Sequence, residues 1–442
     1  MFAKYRQGGI YKQDYIDELM KQYGDEDEDR IEAPPRPDWE IGPCTSYEPV
    51  DDDVNSSENG LSSLTQSDCK DHPQFMDGLV PCVTYVTDTT TRAVLQNKIK
   101  EMCGATKDGF PGCQPVSMER SPDRDNLKLL AENKYMVSWK ADGVRYMVLI
   151  NGENQVYAFD RDNSVFRIPD VSFPHRKENR HIRDTLVDAE MIIDRINDDS
   201  GVTKDVPRLL IYDIIKFEGQ NVGDCDFRTR LLCIRKEIIG PRKEAMQYGR
   251  IRRELEPISI RLKDFWEIET VRKLFDEKFT HNVGHEIDGL IFQPIKEPYK
   301  PGRLDTLLKW KPPSHNSIDF KLQIKKVNKV GELPEHIGFL YVQHQPQPMC
   351  TMKATKKLLP YNNKIIECNF VNGQWNFMRE RTDKSLPNSE KTALAVWNSM
   401  RYPIDKATLI EFVEKYCVRR EQKRPSEYEH NSQHSKRAAL TS

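Results

Sequence analysis

The chain has 442 residues, 37% hydrophobic and 31% charged, with a formal net charge of −2. That length suits two or three domains, and the composition is too polar for every segment to be folded. No stretch approaches the ~18 apolar residues that span a bilayer, no basic-then-apolar signal opens the chain, and the ten cysteines include no C-x-x-C pair. No membrane partner, disulfide framework or cysteine zinc site is therefore expected.

From Ile10 to Tyr23 the residues Tyr11, Tyr15, Leu19 and Tyr23 recur at fours and Gly24 follows, which predicts one short helix within 1–24. Residues 25–78 read as an acidic, disordered linker. Between Gly24 and Gly60, 13 Asp or Glu stand against 2 Arg, so the remainder carries about +9. A positive folded body beside an acidic linker suits a protein that binds a polyanion. Residues 79–313 hold short β-rich runs such as YMVSW, RYMVLI, RLLIYDII and DGLIF with interspersed helices, including one around Arg228 to Ile239. Strands without regular βα alternation predict an α+β domain of antiparallel sheets. Residues 314–402 (FKLQIKKV, IGFLYVQ, KIIECNF, QWNFMRERT) give about five short basic strands, as in a C-terminal OB-fold barrel. A last helix is expected within 403–418, and 419–442 reads as a disordered basic tail. His281 and His285 are four apart, but Gly284 between them argues against a shared helical face for a metal.

The sharpest signal is YMVSWKADGVRYMVLI, which places Lys140, Asp142, Gly143 and Arg145 at the expected tip of a hairpin between two strands. A lysine attacks phosphorus only as a neutral amine, so this chemistry asks for close cations such as Arg145 that disfavour a second charge. Five further elements follow in order: FDRDNSVF (Asp160, Arg161, Phe166), LVDAEMI (Asp188, Ala189, Glu190), HEIDGLIF (Asp288, Gly289), LLKWKPP (Lys309, Trp310, Lys311) and WNFMRERTDKSLPN (Arg379, Arg381, Asp383, Lys384). A nucleoside triphosphate carries about four negative charges, so attack at its α-phosphorus needs cations on the accumulating charge and the leaving group. Glu190 and Asp288 are hard oxygen ligands suited to magnesium or manganese.

The six elements in this order resemble the covalent nucleotidyltransferases, the superfamily of capping enzymes and ATP-dependent polynucleotide ligases. The last two elements, with IYDIIKF, VGDCDF and KIIECNF, resemble the animal capping enzymes over roughly Leu79 to Tyr416. The resemblance implies an mRNA guanylyltransferase: Lys140 takes GMP from GTP as a covalent adduct and passes it to the 5′-diphosphate end of nascent mRNA. It also implies that Arg145, Arg161 and Glu190 face ribose and phosphates, that Phe166 stacks on guanine, and that Lys309 and Lys311 contact the α-phosphate. Asp188, Ala189 and Trp310 join the nucleotide-binding set. Arg379, Arg381, Asp383 and Lys384 would reach the outer phosphates when the second domain closes. Nuclear location and docking on the phosphorylated C-terminal tail of RNA polymerase II follow from the same resemblance. The alternatives are an ATP-dependent ligase, or a silent RNA-binding scaffold of the same fold.

Two departures stand out. The element usually written D-G-E reads Asp188-Ala189-Glu190, where a positive φ would strain the alanine. GIYKQDYIDEL and YGD resemble the closing helix of an RNA triphosphatase domain, but the His-Cys-x5-Arg nucleophile loop is absent, so no triphosphatase activity is expected.

Overall fold

A computed structural model describes residues 72–122, 124–197, 203–327, 335–382 and 384–417. The expected N-terminal helix, most of the acidic linker, the basic tail and Asp383 lie outside the described residues. The folded body reaches further back than Leu79. Phe75–Gly78 makes a tight turn in which Phe75 and Met76 are buried. Phe75 packs on Tyr146 and Phe166, and the Met76 N–H donates to Tyr146 Oη at 3.1 Å. Phe75, Met76, Val80 and Val83 together anchor this end of the described chain in the core.

The first domain is built on two sheets. One has eight strands, with Val144–Ile150 between Val156–Phe159 and Thr185–Asn197, and Thr203–Phe217 beyond. The other has five, with Tyr135–Ala141 beside Ile287–Pro294, then Gly302–Trp310 and Cys113–Ser117. The central strands, such as Tyr135–Ala141 and Val144–Ile150, are buried along nearly their whole length, so they read as continuous apolar runs. Val148, Val187 and Ile211 fill one core, while Val137, Leu290, Leu308 and Val271 fill another. The sheets are mostly antiparallel, as expected, but Ser259–Leu262 runs parallel to Thr203–Phe217, and Cys113–Ser117 parallel to Gly302–Trp310. The helix at Thr89–Met102 starts where the Asp88 side chain accepts the Thr91 N–H at 2.7 Å, a cap that satisfies one of its first free donors.

The expected Lys140 hairpin does not exist. Tyr135–Ala141 pairs with Ile287–Pro294 in one sheet and Val144–Ile150 with Thr185–Asn197 in the other. Asp142 and Gly143 carry the chain across from sheet to sheet. A Cβ at Gly143 would overlap the Met191 carbonyl, so glycine is what lets the two sheets approach here.

The second domain is a five-stranded antiparallel sheet in the order Cys350–Lys353, Glu335–Tyr341, Ile318–Val327, Ile365–Val371, Gln374–Glu380. It curls until its two outer strands approach, as in an OB barrel. Its core holds Ile318, Phe320, Leu340, Ile366 and Trp375, closed by Ala393 and Val396 of the Glu390–Arg401 helix. That helix also ties the domains together, since Ser399 Oγ donates to the Met118 carbonyl and Asn398 Nδ2 to Glu119. The final helix, Lys406–Tyr416, returns to the first domain and buries Leu409, Ile410 and Val413 beside Leu130 and Tyr135.

Gly289 has φ 119°, and a Cβ there would overlap the Trp310 carbonyl. Gly289→Ala is expected to cost about 1–3 kcal/mol from its conformation alone, with the clash added. A lowered urea midpoint of unfolding checks this, and an unchanged midpoint contradicts it.

Candidate active site

Strand pairing brings Lys140 to Asp288. Ala141 lies opposite Ile287, and the register shifts between Ile287 and Leu290, where Gly289 turns the chain. Lys140 Nζ donates to Asp288 Oδ2 at 2.7 Å, and Lys311 Nζ reaches the same oxygen at 2.6 Å. Burial pushes the Asp288 carboxyl up, but Lys140 and Lys311 together hold it below the usual carboxylate range.

Lys309 pairs in register with Ile291, whose strand lies between those of Lys309 and Lys140. Alternation along the strand sends Lys309 and Lys311 to the cleft and Trp310 to the other side. Trp310 is buried, and its indole N–H donates to the Ile404 carbonyl at 2.7 Å. Burial, followed by Lys311, Lys140 and Arg161, pushes the Lys309 amine down to about 7. Lys263, just past the Ser259–Leu262 strand, lies over the Trp139 ring at 4.3 Å. Burial, with Lys140 adding, also lowers its amine to about 7, while Glu190 opposes the shift. Burial raises the Glu190 carboxyl against the pull of Lys140, Lys263 and Arg161. Lys140, Lys263, Lys309, Lys311 and Arg161 thus gather around Glu190 and Asp288, and a local cluster of cations suits a polyphosphate.

Arg145 lines the cleft, but it is not the free cation expected beside Lys140. Its Nε and Nη2 donate to the two Asp188 oxygens at 2.9 and 2.5 Å. Asp188 is fully buried and also accepts from the Tyr212 and Tyr299 hydroxyls at 2.6 Å each, so it orients Arg145 rather than facing a ligand. Ala189 lies in extended strand with its methyl in the core, so the expected strain does not arise. Arg161 and Glu190 line the cleft. Phe166 does not: it is 1% exposed and packed among Phe75, Tyr85 and Tyr146, where no base can stack on it.

The opposite wall comes from the second domain. Arg379 Nε donates to Glu367 at 2.7 Å, Arg381 Nη1 to Asp319 at 3.0 Å, and Lys384 pairs with Asp319. Between the walls lies a cleft of about 2570 Å³, well above the roughly 300–1,000 Å³ of a typical small-molecule site. It has room for a nucleotide and for a second, larger substrate. Among the described residues no three His, Cys, Asp or Glu side chains are grouped closely enough to hold a metal unaided.

A family model described as the mRNA capping enzyme catalytic domain matches residues 76–313, and one described as its C-terminal domain matches 315–410. The chain belongs to the mRNA capping enzyme family. It is 49% identical to the mRNA-capping enzyme of Danio rerio, covering 96% of this chain and 71% of that one. The mRNA-capping enzyme of Caenorhabditis elegans is 48% identical, over 93% of this chain and 68% of its own. The solved ATP-dependent DNA ligase of bacteriophage T7 is 16% identical over 63% of this chain and 97% of its own, at a TM-score of 0.29, too loose a likeness to weigh. The activity of this family member is mRNA guanylyl transfer, with GTP and mRNA as substrates.

Sequence reasoning missed Lys263, Tyr212, Tyr299, Asp319 and Glu367. None stands in a spaced pattern with the lysine elements. Tyr299, for example, meets Asp188 from 111 residues away.

Two outcomes follow from this capping site. Lys309 is protonated up to its ordinary 10.5 when unfolded but only up to about 7 when folded. The folded state therefore binds fewer protons in that window, and this lysine's contribution to stability rises with pH from about 7 to 10.5. Lys309→Met should flatten the rise, read as the difference between denaturation midpoints at pH 7 and pH 9; equal slopes for both proteins would contradict it. Asp188→Asn leaves the buried Arg145 without its counter-charge and should cost about 3–5 kcal/mol of stability, measured by chemical denaturation.

Proposed function

We propose that Lys140 is the nucleophile of a two-step GMP transfer. Its amine nitrogen bonds to the α-phosphorus of GTP, the α–β P–O bond breaks, and pyrophosphate leaves. A terminal oxygen of the RNA 5′-diphosphate then attacks the same phosphorus, the P–N bond breaks, and the lysine amine is restored as the cap forms. One observation carries this reading: Lys140 and Lys311 converge on one Asp288 oxygen beside Lys309, in a cleft that Glu190 also lines. Lys309 and Lys311 would bind the α-phosphate, and Arg145, held by Asp188, would present its remaining donors to the nucleotide.

Glu190 and Asp288 would hold magnesium or manganese. Two carboxylates fit such an ion because it binds through one or two of them and completes its shell with water and phosphate oxygens. When bound, it would neutralise charge on the phosphate oxygens. Arg379, Arg381 and Lys384 would exchange Glu367 and Asp319 for the outer phosphates when the second domain closes. Because the acceptor is a growing transcript, a nuclear location and docking on the phosphorylated tail of RNA polymerase II complete the proposal.

Incubation with labelled GTP or ATP, followed by denaturation, tests it. Label from GTP should stay on the wild-type protein and be absent from Lys140→Ala. Label retained by that variant, or retained from ATP alone, would overturn the assignment.

A further inference from the structure

The outward face of the second domain's sheet carries a row of side chains that neither the core nor the nucleotide site uses. Along Ile318–Val327 the inward residues Ile318, Phe320 and Leu322 are buried in the core, so Asp319, Lys321, Gln323 and Lys325 point the other way. Asp319 lines the catalytic cleft. The row therefore starts at the cleft and leads away from it.

The neighbouring strand completes the face. Lys321 lies opposite Tyr341, Gln323 opposite Phe339, and Phe339 is flanked in turn by Thr351. Phe339 and Tyr341 are only half-buried and stand on the face opposite the buried Leu340. Lys325 Nζ sits over the Phe339 ring at 5.3 Å, and Lys353, one strand further, is exposed. The acidic residues at the start of the row are already matched, Asp319 by Arg381 and Lys384, and Glu367 by Arg379. Beyond them lies a strip of lysines interleaved with two aromatic rings. Same-face residues are about 7 Å apart, so the strip from Lys321 to Lys325 runs roughly 13 Å.

We propose that this strip is a track for single-stranded RNA, holding the transcript just behind the 5′ end that enters the cleft. Two features commit the face to that occupant. The lysines are complementary to a phosphate backbone, and aromatic rings beside them are what unpaired bases stack on without sequence preference. The strip is also continuous with the cleft where the 5′ end must react. The inference rests on the guanylyl-transfer reading of that cleft, and adds to it a reason for long acceptors to be preferred over short ones.

The full chain is compared with the Lys321→Ala/Lys325→Ala and Phe339→Ala variants, using a 5′-diphosphate dinucleotide and a 5′-diphosphate RNA of roughly 15 nucleotides, long enough to fill an OB-fold site. Adduct formation from GTP should be unchanged in all three proteins, which also reports that the variants fold. KM for the long acceptor should rise about tenfold in each variant, while the dinucleotide is used as before. The slope of log affinity against log salt for the long RNA should fall by about 0.7 for each lysine removed. An unchanged KM for the long RNA, or equal losses on both acceptors, would overturn the track. Fluorescence anisotropy of the same two RNAs reads the strip without catalysis. A wild-type protein that forms no adduct therefore sinks the nucleophile assignment and leaves the track to stand or fall on binding.

Discussion

Lys140 and Lys311 converge on one oxygen in a half-buried cleft, and Asp288 is the carboxylate that they share. Unit charges about 4 Å apart repel by roughly 4 kcal/mol at a dielectric typical of protein surfaces. The oxygen shared by Lys140 and Lys311 offsets this and fixes where both amines point. Among the described residues Lys309 makes no such ion pair, although Asp288 acts on it from further away. Burial and the neighbouring cations move its amine down to about 7. A polyphosphate bound there would bring counter-charge to this cluster of lysines.

The scaffold keeps this arrangement in place from two sides. Gly289 turns the Asp288 strand in a conformation that a side chain would strain, and Gly143 lets the sheet carrying Lys140 approach the sheet carrying Glu190. Arg145 and Asp188 lie between the sheets, with Tyr212 and Tyr299 satisfying the remaining carboxylate lone pairs. A buried pair of this kind adds little net stability over apolar packing, but losing either member is costly. Its use here is to hold one guanidinium in a fixed orientation at the cleft wall. Phe166 belongs to the same structural layer, since with Phe75 and Tyr146 it closes the core beneath the cleft.

The second domain brings its cations already paired. Arg381 and Lys384 rest on Asp319, and Arg379 rests on Glu367. Replacing one carboxylate partner by a phosphate leaves the number of ion pairs nearly unchanged, so closing and reopening would lie near balance. Asp319 and Glu367 are thus as much part of this wall as the basic residues they hold. Beyond Asp319 the same strand face turns from paired carboxylate to lysine and aromatic side chains, which separates the wall of the cleft from the strip assigned to RNA.

The amino-acid order by itself determined the elements and the chemistry. The ordered series from Lys140 to Lys384 marked a covalent nucleotidyltransferase and picked out Lys309 and Lys311. Local patterns also located the strand-rich second domain and the last helix. They could not tell which sheet a strand joins. The Lys140 turn reads locally as a hairpin, and only long-range pairing makes it a crossing between sheets. They could not separate residues facing the cleft from those facing the core, so Phe166 and Trp310 read as ligand contacts when both are packing. The partners that decide the site lie far apart in sequence, Lys140 and Asp288 by 148 residues and Arg145 and Asp188 by 43. Strand period reports which side chains share a face; which faces meet is settled by burial of the whole core, and no short stretch of sequence carries that information.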